Sequence, residues 1–395
     1  MRFSDRITGI NAGGSDGWEI YTRAKAMRAE GLDVIQLTIG EHDVRTDHSI
    51  LKAMYQAGLD GHTGYSFGSG NPGLRARIAA RVSERTGHPV TPDNVLVVPG
   101  GQAGLFATHM ACLDPGDRAL FIDPYYATYP GTIRSAGGVP VPVQARADRA
   151  FQPDAADIAK AAPGARSLLI NTPNNPTGTI YTAATMEGIA RVCHDHDLWL
   201  ISDEVYDTQV WHGTHVSPRT LPGMAERTLV VGSLSKSHAM TGSRIGWVIG
   251  PQEAIEHMGH LSTNTTYGVA GFVQEAASFA LDQGADFEAR IAEPFRRRRD
   301  LVLRLLEGQN VVRPIPADGA MYVMLDLRAT GLSGEDFASR LLDTYHVAVM
   351  PGESFGQAAA GHVRVALTVA DDLLEASIHK LITLARELAQ DRRPG

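Results

Sequence analysis

Apolar and polar positions change period several times along the chain. Short runs rich in Val, Ile and Leu (NVLVV, ALFI, SLLIN, LWLIS, TLVVG and IGWVIG) alternate from about residue 48 with stretches of helical period such as RARIAARVSERTG and TMEGIARVCHDHD. A strand that is apolar throughout must be covered on both faces, so the alternation predicts a largely parallel sheet between helices, the α/β class. After Gln283 the order changes. A long charged helical stretch, FEARIAEPFRRRRDLVLRLLEG, leads into AMYVMLD, a helix over GEDFASRLLDTY, the runs HVAVM and HVRVAL, and a last helix. That order predicts a second, smaller α+β unit. We place the division near residue 290, with 46–290 as the large unit and 1–45 plus 291–395 as the small unit and N-terminal arm.

The bulk numbers change this picture little. A chain of 395 residues with 43% hydrophobic positions can fill full cores without staples. The net charge of -8 disfavours a nucleic-acid or anionic-membrane partner. Cys112 and Cys193 are the only cysteines and read as two small buried hydrophobes. The opening MRFSDRITGI lacks the apolar core of a signal peptide, and no segment has the apolar length of a membrane span. The expected compartment is therefore the cytoplasm.

In an open parallel sheet, ligands bind beyond the carboxyl ends of the strands, where loops and helix N-termini converge. After NVLVV comes PGGQAGLF, in which glycines open a helix whose free N–H groups suit a phosphate. SLLI is followed by NTPNNPTG, a tightly fixed turn, and LWLIS by DEVY, which puts Asp203 and Tyr206 at that exit. TLVVG runs into SLSKSHAMTGSRIGW, where Lys236 sits among serines with Arg244 eight positions on. One ligand uses all of these. Pyridoxal phosphate has a phosphate, a ring nitrogen that must stay protonated, a phenolic oxygen and an aldehyde that condenses with an amine. Asp203 would hold the ring-nitrogen proton, and Asn175 and Tyr206 would donate to the phenolic oxygen. Ser233, Ser235 and Arg244 would join the helix start around the phosphate, leaving Lys236 for the aldehyde.

The set NNPTG, SDEVY and SLSKSHAMTGSRIGW, in that order, resembles the class I and II aminotransferases of fold type I over nearly the whole chain. Within that family, HVSPRTLPGMAERT, SLSKSHAMTG and FRRRRDLV are most similar to arginine-pyruvate transaminases. The resemblance implies a large cofactor-binding domain with a mostly parallel sheet and a smaller α+β domain. Lys236 would be the Schiff-base lysine, with Gly101 and Gln102 added to the phosphate site and Tyr65 reaching it from the other subunit of a homodimer. Tyr126 in DPYYATYP, rather than the adjacent Tyr125, would stack on the cofactor. Arg364 in HVRVAL resembles the arginine that grips the substrate carboxylate, and Gly40 in LTIGEHD the glycine near it. The family usually has Pro where His42 stands, and His42 reads as a loop residue. The implied activity moves an amino group from an L-amino acid, arginine or another basic or broad-range donor, to a 2-oxo acid such as pyruvate. Aspartate is the alternative donor.

Other patterns carry less. GSGNPG, residues 68–73, has dinucleotide-type glycines without a buried strand before it. CHDHD ends a helix and has no second ligand cluster, so it reads as a solvated helix end. RRRRD, on a helix, points its arginines in different directions and reads as a solvated or intersubunit face. Two rivals use the same framework: a β C–S lyase sharing the lysine and carboxylate grip, and a regulatory ligand-binding module, which needs an added DNA-binding segment.

Overall fold

The computed structural model describes residues 1–11 and 17–390. Its strands are, in chain order, β1 (Ile35–Leu37), β2 (Val95–Val98), β3 (Arg118–Asp123), β4 (Val139–Gln144), β5 (Ala165–Asn171), β6 (Trp199–Asp203), β7 (Thr228–Ser233), β8 (Gly246–Ile249), β9 (Arg313–Pro314), β10 (Tyr322–Asp326), β11 (Val347–Pro351) and β12 (His362–Ala366). They form a seven-stranded sheet ordered β2-β8-β7-β6-β5-β3-β4 and a five-stranded sheet ordered β1-β11-β12-β10-β9.

The large sheet follows the expected pattern, since successive residues of one strand enter opposite cores. Leu168 and Ile170 of β5 join Leu120 and Ile122 of β3 on one face, while Leu169 joins Phe121 and Ile201 on the other. Pairing is parallel from β4 through β7. The IGWVIG run departs from expectation, because β8 is antiparallel to both β7 and β2. The physical reason lies in the connection: residues 234–245 join β7 to β8, and the only helices in them, Leu234–Ser237 and Thr241–Ser243, are too short to carry the chain back along the sheet for a parallel return. Sequence reading also missed β4, whose VPVPVQ carries two prolines. It lies at the sheet edge, where the missing N–H groups are tolerated.

The helix Gly284–Leu305 carries the chain between the units. Phe287 packs in a core with Val95, Val97 and Ile249, whereas Phe295 and Val302 pack with β10, β11 and β12. We propose that the division lies inside this helix. The N-terminal segment joins the second core through Ile20, Ala24 and Leu37, with β1 parallel to β11.

The RRRRD stretch divides, with Arg296 and Arg297 on the solvated face expected and Arg298 turned into the chain. Arg298 is buried and bidentate to Asp43, at 2.6 and 3.0 Å, and also donates to Asp371 at 3.0 Å and to the Leu367 carbonyl at 3.1 Å. Arg297 takes the other side of Asp371, and Arg299 donates to the Ala317 carbonyl. CHDHD also has local uses: Cys193 is buried, His194 lies 3.3 Å from the Pro222 carbonyl, and Asp197 pairs with Arg227. The residues before GSGNPG form no strand. Among the described residues, no helix is long and apolar enough to cross a membrane.

Arg298 thus ties the N-terminal loop to two C-terminal segments from a buried position. Arg298→Ala is expected to lower unfolding free energy by about 2–3 kcal/mol, because the two aspartates it leaves are partly solvated. Denaturant unfolding checks the loss, and limited proteolysis should show earlier cleavage before residue 48.

Candidate active site

Strand exits of the large sheet and the edge of the small one enclose a cavity of about 320 Å³. Its wall contains Gly40, Gly101, Gln102, Tyr126, Asn175, Asp203, Tyr206, Ser233, Ser235, Lys236, Arg244 and Arg364. Those are the residues singled out in the sequence, with one exception. Tyr65 is 92% exposed and lies against Tyr267, ring centroids 5.0 Å apart, away from the cavity of its own chain.

At one end of the cavity β2 runs into the helix Gly101–Cys112 through Gly100, whose φ is +81°. A Cβ on Gly100 would lie 2.3 Å from Arg244 Nη2, so the glycine lets the guanidinium lie against the helix start. Arg244 donates from Nη1 to the Thr241 carbonyl at 2.8 Å. Ser233 caps the next helical turn, accepting from the Ser235 amide at 3.0 Å, and its Oγ lies 2.9 Å from Ser235 Oγ. Gln102 uses its side chain on Thr128 and Thr132, which leaves its backbone N–H at the helix start for a ligand.

At the other end Asp203 terminates β6, buried. Its Oδ2 accepts from Tyr129 Oη at 2.7 Å and its Oδ1 from the Val205 amide at 3.3 Å. Burial pushes this carboxyl up to about 6, with the Tyr129 and Val205 hydrogen bonds opposing the shift. Lys236 lies between the ends and donates from Nζ to the Gly40 carbonyl. Burial holds its amine below the ordinary lysine range. Gly40 must be bare, since a Cβ there would fall 1.7 Å from Tyr322 Oη.

The small unit contributes Arg364, in the middle of β12. Its guanidinium lies over the rings of Tyr322 and Phe355, at 4.3 and 4.4 Å from the centroids. Nη1 donates to Asn175 Oδ1 at 2.7 Å and Nη2 to the Thr38 carbonyl, while the buried Nε has no partner. Tyr206 and Tyr322 share a 2.9 Å hydrogen bond beside it. The neighbouring Tyr125 packs edge-on against Phe121, whereas Tyr126 faces the cavity. His42 packs edge-on against Phe295 at 5.1 Å, and burial, with the Lys236 charge nearby, lowers it to about 4.

Tyr129, Tyr322 and Asn171 were not singled out in the sequence. Tyr129 lies three positions after Tyr126, and Tyr322 opens a run that reads as an ordinary strand. Asn171 ends β5, bonding the Asp203 carbonyl at 2.9 Å and the Asn175 amide at 2.7 Å. The donor set fits pyridoxal phosphate: open helix N–H groups and a guanidinium at one end, a buried carboxylate at the other, and a lysine between them.

Comparison with known proteins agrees. The family Aminotransferase class I and II matches residues 32–381. The arginine–pyruvate transaminase AruH of Pseudomonas aeruginosa is 41% identical over 98% of this chain and 99% of its own. The aspartate/prephenate aminotransferase of Thermus thermophilus is 37% identical over 91% of this chain and 93% of its own. The solved Thermus thermophilus aspartate aminotransferase with maleate superposes with a TM-score of 0.90 at 35% identity, covering 97% of this chain and all of that one. The chain belongs to the class I and II aminotransferases and is a pyridoxal-phosphate-dependent transaminase of fold type I.

The raised Asp203 carboxyl carries a stability consequence. Below about pH 4 both folded and unfolded chains hold the proton and there is no penalty; as pH rises through about 6 the folded carboxyl must ionise in a dry site. In the cofactor-free protein Asp203→Asn is expected to be more stable than the parent at pH 7 by about 2–3 kcal/mol, with the advantage vanishing near pH 4. Thermal unfolding of both proteins across that range checks it.

Proposed function

We propose that this transaminase takes its amino group from a basic or broad-range L-amino acid, arginine among them, and passes it to a 2-oxo acid such as pyruvate. The observation that carries the donor reading is the charge on the cavity wall. Among the described residues of one subunit, its cations are Lys236, Arg244 and Arg364, and each already has a place: on the Gly40 carbonyl, at the glycine helix start and on Asn175. None is spare for a second carboxylate, as an aspartate donor requires. Glu41 and Trp18 put a carboxylate and an indole on the same wall, surfaces that suit a guanidinium or an alkylammonium chain. The similarity to an arginine–pyruvate transaminase supports the same donor class.

When bound, pyridoxal phosphate supplies an aldehyde for the amino group and a ring that accepts electrons. The chain's residues do the rest. Gly101, Gln102, Ser233, Ser235 and Arg244 bind phosphate oxygens at the helix start. Asp203 would hold the proton of the ring nitrogen, a positive charge that would offset the burial raising its carboxyl. Asn175 Nδ2 and Tyr206 Oη would donate to the phenolic oxygen, and Tyr126 would stack on the ring. Arg364 would grip the α-carboxylate and fix its plane, leaving the Cα–H bond directed toward Lys236. Lys236 Nζ, its basicity lowered by burial, would be the group that takes up and gives back the Cα proton.

The exposed Tyr65 and Tyr267, with Phe67 and Tyr55 also exposed, support a homodimer in which Tyr65 completes the phosphate site of the other subunit. The cytoplasm is the compartment this reading assumes.

Lys236→Ala is expected to lose the visible absorption of the bound cofactor and to lower turnover at least about 10³-fold. Label on another lysine after borohydride trapping would overturn that assignment. In single-turnover absorbance measurements L-arginine is expected to outrun L-aspartate about tenfold or more in kcat/KM, and the reverse order would end the donor reading. Sedimentation should give the mass of two chains, and Tyr65→Phe should bind pyridoxal phosphate more weakly with that mass unchanged.

A further inference from the structure

Directly behind the cavity, on the opposite face of the large sheet, lies a compact set of four charged side chains. Arg81 and Arg85 come from the helix Pro72–Thr86, Glu288 from the helix Gly284–Leu305, and Asp207 from the turn after β6. Arg81 donates to Asp207 Oδ2 at 2.9 Å and to Glu288 Oε1 at 2.8 Å. Arg85 donates to Glu288 Oε2 at 2.9 Å and to the Asp207 backbone carbonyl at 2.9 Å. Two cations and two anions give a neutral cluster, and every partner is engaged at least twice. Burial works against the Asp207 carboxylate, and the arginines more than offset it, so the group lies below the ordinary aspartate range.

The cluster touches two of the strand exits that build the site. Asp207 follows Tyr206 directly, and its amide donates to the Glu204 carbonyl at 3.0 Å, closing the turn that bears Asp203 and Tyr206. Arg81 also lies 5.7 Å from the Trp247 ring centroid. That ring covers Gly232, where a Cβ would fall 2.3 Å from the indole nitrogen, and Gly232 precedes Ser233 and the Lys236 turn. One guanidinium therefore braces from behind both the β6 exit and the β7 exit. We propose that Arg81 and Asp207, with Arg85 and Glu288, are positioning residues that fix Asp203 and Tyr206 against the β7 turn bearing Ser233 and Lys236. This rests on the roles given to Asp203, Tyr206 and Lys236 above.

The test uses the purified holoenzyme and pyridoxal phosphate itself as the probe. Asp207→Asn and Arg81→Lys keep size while loosening the charge-assisted bonds, and Arg85→Gln removes a partly exposed member should either of the others fail to fold. Expected are a dissociation constant for pyridoxal phosphate raised about tenfold and a displaced pH midpoint of its visible absorption, with kcat reduced more than KM. A folded variant with lowered thermal stability but parental cofactor affinity and parental pH midpoint would overturn the proposal and leave the cluster a purely structural brace. Asp203→Asn is run beside them. If it too leaves the absorption midpoint unmoved, the site reading fails; if it shifts the midpoint while the cluster variants do not, only the positioning proposal fails.

Discussion

A carboxylate placed in a dry pocket and aimed by its surroundings is the constraint on which the rest of this site depends. Asp203 stands at the last residue of a central strand, where neighbours on both sides limit its movement. Tyr129 holds it from the front at 2.7 Å, and Asn171 on the adjacent strand holds its backbone carbonyl at 2.9 Å. A side chain so held loses little freedom when a ligand arrives, which is what preorganisation means in energetic terms. A central strand provides that rigidity more reliably than a loop does, because its backbone is already committed to two neighbours.

The second half of the site comes from the other unit, and its contacts are as specific. Arg364 spans from β12 to Asn175, and Tyr322 from β10 to Tyr206, so each of the two bonds pairs a residue of the small sheet with one from a large-sheet exit. The rings of Tyr322 and Phe355 flank the guanidinium, while Asn175 and the Thr38 carbonyl fix its two Nη atoms. On the roles proposed, substrate grip and cofactor cradle share hydrogen-bonded residues. A shift of one unit against the other alters both together.

Much of this was legible in the residues because a parallel sheet writes its ligand site at predictable places, just past each apolar run. Asp203, Lys236 and the glycine helix start each follow such a run directly. What escaped notice had competing local explanations. Tyr129 and Tyr322 look like core aromatics until the fold puts a carboxylate or a guanidinium beside them, and β4 hides behind two prolines that an edge strand tolerates. The orientation of β8 depends on the length of its connection, which the apolar pattern does not record. The RRRRD run diverges on its helix as the pattern implies, but which members turn inward, Arg298 and Arg299, depends on partners far away in the sequence.

The ionisable groups of the cavity share a physical predicament that a charged ligand would relieve. Burial drives Asp203 up and Lys236 and Arg364 down, each toward its neutral form, because no solvent compensates the charge. The buried Nε of Arg364 has no partner at all. A ligand with a protonated ring nitrogen opposite Asp203, a phosphate at the helix start and a carboxylate on Arg364 reverses these penalties together. Part of the binding free energy is therefore desolvation already spent in folding the chain, and the folded state gains stability as the ligand is taken up.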